Sequence, residues 1–439
     1  MVMYNNLYLV WILIFISSFL FALNGFSDSK DLLSKEKMYE DVKYYSDLGH
    51  HRTATEVDHA TSRWLKERLQ KAGYSTQIQE WETKQFFPQE TYIEINRMKR
   101  FRAFPVWWPK PTYNRGIMAK LSSDLQSVRG KILLFRNVTG PGFSVDRKLI
   151  KQVITAADNG SVAVVVATFY NRSNTIASNE FIGLNAMQIN KDEWPIPVVM
   201  IQAKDFNEFE KAETDQLAVR IISTGFYNQS AVAMNVIGSL MREPDYKTII
   251  VTTPSSGWFN CAGERGSGIG IWLALAEWAS KKIKNINWIF AATSGHELRG
   301  LGTDHLLNSD LVPPPNEVDL WTHVGAWQAM YSFILKDGAL RKTDEMDDKI
   351  LQFTGNDLGA AVNEGFGDPQ LRIRIVPQIR FGDLIQVEQF GYKRLAGISF
   401  GHEYHHSTQD LPNVTGPALL ESIAKAYKTF LQAYITNQL

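Results

Sequence analysis

Residues 248–302 read TIIVTTPSSGWFNCAGERGSGIGIWLALAEWASKKIKNINWIFAATSGHELRGLG. Thr248 to Thr252 is a β-branched run and predicts a strand. Ile269 to Ile283 is apolar nearly all round, which predicts a buried helix. Trp288 to Ala292 is uninterrupted apolar sequence, the pattern of a parallel strand covered on both faces. Working outward, Asn235-Val236-Ile237-Gly238 and Val318 to Val324 add strands, and Ala418 to Tyr434 is a closing amphipathic helix. Strands alternating with helices argue for an α/β fold built on a doubly wound sheet.

Upstream, Lys35 to Tyr74 reads as helical, with Ala60, Trp64, Leu65, Leu69 and Ala72 forming one apolar stripe. Thr55 and Asp58 suit its start and Gly73 its stop. Ser75 to Trp81 and Thr91 to Ile95 alternate as two strands. The Pro- and Trp-rich crossing from Phe104 to Pro111 then marks a boundary. Beyond it, Lys131 to Phe135, Val162 to Ala167 and Pro197 to Ile201 read as strands, with helices at Asp146 to Asn159 and Asp205 to Ala212. That cycle predicts a separate small α/β domain.

At 439 residues the chain is long enough for two domains. Lys plus Arg equals Asp plus Glu, 46 each, so net charge gives no case for nucleic acid. The single cysteine, Cys261, excludes an intrachain disulfide and reads as a small buried thiol. Leu7 to Leu23 is apolar apart from Ser17 and Ser18, and Gly25-Phe26-Ser27 suits signal-peptidase cleavage before Asp28. A cleaved signal or a retained membrane anchor through residues 7–23 would put the globular part outside the cytoplasm: secreted, periplasmic or membrane-anchored. A buried core helix is the remaining reading. Five Asn-x-Ser/Thr sequons, at Asn137, Asn159, Asn171, Asn228 and Asn413, would be glycosylation sites in an exported eukaryotic protein, though a few arise by chance in any chain of this length.

Several segments together resemble the di-zinc exopeptidases, which include leucyl aminopeptidases, glutamate carboxypeptidases and glutaminyl cyclases. Asp47-Leu48-Gly49-His50-His51-Arg52-Thr53 and the helix ending Lys71-Ala72-Gly73-Tyr74 resemble the family's opening. Gly130-Lys131-Ile132-Leu133-Leu134 and Ile196-Pro197-Val198-Val199 resemble its protease-associated insert. The resemblance implies a doubly wound mixed sheet of the zinc-exopeptidase type carrying that smaller α/β domain. The boundaries it implies are 1–27 for the signal or anchor, 28–103 and 229–439 for the peptidase-like domain, and 104–228 for the insert.

The family's metal positions are largely absent. Its His-x-Asp falls on Thr252-Thr253-Pro254, without imidazole or carboxylate. Its bridging acid falls on Glu264, beside Arg265, which can neutralise it; an ordinary Glu-Arg pair at a helix start is the competing reading. Its Glu-Glu pair reads His296-Glu297, leaving Glu297 as ligand and His296 in the general base's place. Its later Asp falls on Thr322, and neighbouring His323 reads as a packed or hydrogen-bonded histidine. Its final His, followed four residues later by Asp, is matched by His406 and Asp410. His402-Glu403-Tyr404-His405-His406 also spells the His-Glu-x-x-His zinc motif, but Gly401 and Pro412 flank it without a helical pattern, so a loop is expected.

The resemblance therefore implies Glu264, Glu297 and His406 as metal ligands for at most one zinc, and His296 as the catalytic base. It implies two functions: a non-hydrolytic pseudo-peptidase that takes a peptide or protein N-terminus in its cleft, with no zinc, or a one-zinc aminopeptidase or glutaminyl-cyclase-like enzyme. A wholly structural surface protein is the third reading.

Overall fold

The computed structural model describes residues 32–139, 147–172, 175–177, 193–337 and 339–438. The apolar segment 7–23 and the expected cleavage position lie outside them. Two helices open the described chain, α1 (Lys35–Asp47) and α2 (Glu56–Lys71). The break between them follows Gly49, and the Thr55 side chain caps α2 by accepting from Asp58 N. Then come β1 (Ser75–Ile95), β2 (Lys99–Pro105), β3 (Ile117–Ala119), β4 (Leu121–Ser122), β5 (Ile132–Thr139), α3 (Arg147–Asp158), β6 (Ala163–Arg172), β7 (Thr175–Ala177), β8 (Val198–Ile201), α4 (Phe206–Thr214) and β9 (Val219–Leu240). The last part holds β10 (Thr248–Pro254), α5 (Ser267–Lys282), β11 (Asn287–Thr293), α6 (Leu301–Leu307), β12 (Leu320–Val324), β13 (Tyr331–Lys336), β14 (Ala339–Met346), β15 (Lys349–Thr354), α7 (Gly359–Phe366), β16 (Ile373–Val376), α8 (Leu384–Phe390), β17 (Leu395–Ile398) and α9 (Pro417–Gln438).

One mixed sheet runs β16-β15-β17-β12-β10-β11-β9-β1-β2-β8-β6-β5-β4, and β13 and β14 form a separate hairpin. The strands β11, β10, β12 and β17 are mutually parallel, as are β4, β5, β6 and β8. The long antiparallel ribbon β1/β9 joins the two parallel blocks. The doubly wound mixed sheet expected from the sequence is thus the one observed. The single strand β1 replaces the two strands expected at 75–81 and 91–95. Its register slips between Thr83 and Gln85 and again between Pro88 and Thr91, which breaks the alternation that a pattern reading follows.

Packing on the central strands explains their unbroken apolar runs. Ile249, Val251, Trp288, Phe290 and Leu320 face a core shared with α1, α2, α5 and α9. Ile250, Ile289, Ala291 and Trp321 face the opposite layer with α6 and α8. Burial on both faces is the cost-free state only for side chains without polar ends, hence the composition. Helix α5 lies between α1 and β12, and small residues let it approach. A Cβ on Gly268 would meet Gly325 O at 2.7 Å, and one on Gly270 would meet Met38 O at 2.8 Å. A further apolar cluster draws only on residues between Ile93 and Ile221. Among the described residues no helix is long and apolar enough to cross a membrane.

Candidate functional site

The loops that leave the carboxyl ends of β10, β11, β12 and β17 meet at one place, where ligands sit in open α/β sheets. The loop after β10 ends in an unusually wide turn, Ala262–Gly266, that runs into α5. Cys261 starts it in the left-handed region at φ 52°, and Cys261 O accepts from both Arg265 N and Gly266 N at 3.0 Å. Asp410 fixes the turn from outside, its two oxygens accepting from Gly263 N at 2.6 Å and Glu264 N at 3.0 Å. Glu297 stands in the short turn after β11, and His406, at φ 53°, in the loop after β17.

The wide turn aims Arg265 inward. Its side chain is 0 % exposed, its Nε donates to Ser256 O at 2.9 Å, and its Nη2 lies 2.5 Å from Glu297 Oε1 and 3.0 Å from Glu264 Oε1. From the other side, His406 Nε2 lies 3.1 Å from Glu297 Oε2 and 3.4 Å from Glu264 Oε1. Two buried cations thus alternate with two buried carboxylates. Burial alone would raise the Glu264 carboxyl, but Arg265 and His406 outweigh it and hold it well below the usual range. Burial opposes ionisation of Glu297 too, and His406 with Arg265 brings it down to about 2. Burial would depress His406, but Glu297 and Glu264 hold its imidazolium up to about 10. Formal charges of −1, −1, +1 and +1 cancel within the quartet.

The structure therefore brings together the three residues expected to hold zinc, and sets a guanidinium among them. Their fit to a metal is divided: Glu264 Oε1 and Glu297 Oε2 are buried and accept no hydrogen bond among the described residues, as ligand oxygens would be, but Arg265 Nη2 stands beside both carboxylates. Glu297 belongs to none of the described trios whose ligand atoms all lie within 4.8 Å of one another. The trio Glu264, His405 and His406 does converge, but His405 Nδ1 accepts from Trp327 Nε1 at 3.1 Å, which occupies its lone pair. In the trio Cys261, Glu264 and Asp410, both Asp410 oxygens already hold backbone N–H groups. Burial and the Glu264 charge push the Cys261 thiol well up, so it offers no thiolate.

His296 sits at the rim of this site, with Nδ1 2.6 Å from Asp383 Oδ1, and Thr303 Oγ1 donates to Asp383 Oδ2 at 3.2 Å. Burial would lower the His296 pKa, but Asp383 outweighs it and raises it above 6.5. Asp383 thereby orients the ring through Nδ1 and favours its protonated form. Asp383 is the residue that sequence reasoning missed. At the two positions where the family's first His and later Asp are absent, neutral groups bond to one another. Thr252 Oγ1 meets His323 Nδ1 at 2.9 Å and accepts from Trp321 Nε1 at 3.0 Å, while Thr322 Oγ1 donates to Ala396 O at 3.0 Å. Burial lowers His323 to about 4, so it is neutral.

The His-Glu-x-x-His stretch is a series of turns, as expected. His402 Nδ1 accepts from Tyr404 N at 3.1 Å, its Nε2 lies 3.2 Å from Tyr331 O, and its ring stacks on Trp327 at 5.0 Å. It and His406 serve different partners. Trp107 and Trp258, members of one buried aromatic cluster, line a pocket of about 10 Å³ beside Glu297, space for about one water.

Comparison with known proteins places this fold. No family model and no curated protein matches the chain. Solved structures do. A zinc aminopeptidase from Bacillus subtilis superposes with a TM-score of 0.68 at 15% identity, over 91% of this chain and 95% of that one. A peptidase M28 precursor from Shewanella amazonensis gives 0.67 at 14% identity, over 91% and 92%. An aminopeptidase from Aneurinibacillus sp. strain AM-1 gives 0.58 at 15% identity, over 90% and 93%. The chain has the fold of the zinc aminopeptidases, as its motif order implied.

Proposed function

We propose that this chain is a pseudo-peptidase: an exopeptidase fold that no longer hydrolyses and instead binds a partner. One observation carries the reading, the Arg265 guanidinium between Glu264 and Glu297. A resident zinc would have to displace a buried arginine that already compensates both carboxylates. Removing one member of such a buried pair is strongly unfavourable, because the other charge is left unpaired. The imidazolium at His406 supports the same reading, since a protonated ring offers no lone pair to a metal. The small volume of the pocket beside Glu297 favours a partner surface outside the former cleft. Export of the globular part is included in the proposal on the strength of residues 7–23. We keep 104–228 as an inserted protease-associated unit, supported by the apolar cluster confined to residues between Ile93 and Ile221.

Metal analysis of the purified chain after equilibration with zinc, together with an aminoacyl-amide hydrolysis assay, tests the proposal. The expected result is no stoichiometric zinc and no zinc-dependent turnover. Turnover that depends on zinc and is abolished by Glu297→Gln overturns it.

A second reading has its own support. His406 Nε2 stands within 3.4 Å of an oxygen from each of Glu264 and Glu297. A single zinc, for an aminopeptidase or a glutaminyl-cyclase-like reaction, would take these donors. The metal would supply a polarised water or carbonyl. Such a site requires Arg265 to swing out of the quartet, and about one zinc per chain in the same measurement establishes it.

A further inference from the structure

At the β16 edge of the sheet a pocket of about 520 Å³ opens between the starts of β15 and β16 and the end of β17. That size suits a small organic ligand. Lys349, Arg372 and Arg374 line it against a single acid, Asp348. Arg372 is already compensated, donating through Nε to Asp348 Oδ1 at 2.8 Å and through Nη1 to Glu345 Oε2 at 2.6 Å. Arg374 is exposed and has no ion-pair partner among the described residues. Lys349 is only 2 % exposed, and its Nζ donates to the backbone Asp347 O at 2.7 Å. The Asp347 carboxyl is a weak counter-ion for it, since burial and then Glu403 push it up to about 7. Burial pulls Lys349 itself down to about 7, so Arg374 is the cation in this pocket left short of negative charge. The remaining wall is apolar and includes Ile350, Ile373 and Phe400.

We propose that this pocket binds an organic carboxylate with an apolar body, its head held by Arg374 and its body against Ile350, Ile373 and Phe400. A carboxylate meets the uncompensated charge and accepts from a planar guanidinium through two oxygens. The apolar wall excludes a bare inorganic anion as the preferred occupant. The head can come from a free organic acid or from the C-terminus of a peptide. The inference stands apart from the pseudo-peptidase reading, which rests on Arg265.

Calorimetric titration of the full chain separates the sources. The probes are 3-phenylpropionate and N-acetyl-Gly-Phe, each with its neutral amide. Saturable binding of an acid at millimolar concentration or below is expected, with the matching amide weaker by about tenfold or more. Arg374→Ala should weaken the acid by a similar factor and Arg374→Lys by less. Arg374 is exposed, so both variants should fold, and their unchanged melting would show it. Tighter binding of the peptide acid identifies a peptide C-terminus as the source; tighter binding of the simple acid identifies a free small molecule. Equal binding of acid and amide, no saturation by either acid, or an affinity unmoved by Arg374→Ala overturns the proposal.

Discussion

The two halves of the candidate site handle charge in opposite ways. Around Arg265 the ionised groups are kept and closed on themselves: two carboxylates, a guanidinium and an imidazolium, all buried. Around Thr252 and Thr322 charge is gone, and hydroxyls, an indole N–H and a neutral imidazole satisfy one another. Either arrangement leaves a buried site at zero net charge without a metal. They differ in fragility. A closed ion quartet depends on every member, because deleting one strands a charge in a low dielectric. A neutral network that loses a member leaves only neutral partners unpaired, at about 1–3 kcal/mol.

The sharpest test of that contrast is Arg265→Met. It leaves Glu264 and Glu297 facing only one cation, and a loss of about 3–5 kcal/mol in denaturant unfolding is expected. Zinc should recover part of it, because the cation's place is then open and the remaining donors are those of a zinc site. A variant as stable as the parent would mean that the quartet is not closed by Arg265. Next in size is the alkaline limb. The pKa of His406 is raised from 6.5 to about 10 on folding. Its contribution is therefore fully present below the unfolded value and is lost as pH rises through the folded one. The stability difference between the parent and His406→Gln should shrink from pH 6.5 to pH 10. A difference independent of pH in that window would show that His406 is neutral and the quartet uncharged on one side.

Asp383→Asn probes the rim, between the two halves. It removes the carboxylate that holds the His296 proton, at a cost of about 1.5–3 kcal/mol for a charged hydrogen bond. The His296 pKa, followed by NMR, should fall, since burial and Arg265 are then opposed only by the smaller pull of Glu297. An unmoved value would remove Asp383 from its role.

This pair also marks the limit of what the sequence discloses. The sheet was legible because α5 and the strands around it are apolar on every face, a pattern that little else produces. Glu264, Glu297 and His406 were legible from their order along the chain. That Arg265 reaches Glu297, 32 residues away, depends on a left-handed turn at Cys261, which carries no glycine or proline to announce it. Asp383 is 87 residues from His296 and belongs to no motif, so nothing in the sequence joins them. The sequence shows which groups are kept; the backbone decides which of them close on each other.

Thr252→Val is the smallest of these effects and tests the other half of the contrast. Valine keeps the shape and the β-branched preference of a central strand, so packing changes little. The lost hydroxyl accepts from Trp321 Nε1 and meets His323 Nδ1. Both partners are buried, and leaving them unpaired should cost about 1–3 kcal/mol. The loss should not vary with pH above the acid limb, because burial holds His323 down at about 4 and it carries no charge near neutrality. Urea unfolding of parent and variant at pH 6 and pH 9 gives the comparison. A loss that is larger at pH 6 than at pH 9 would mean that His323 is ionised at the lower pH, and the neutral half of the site would then be charged like its neighbour.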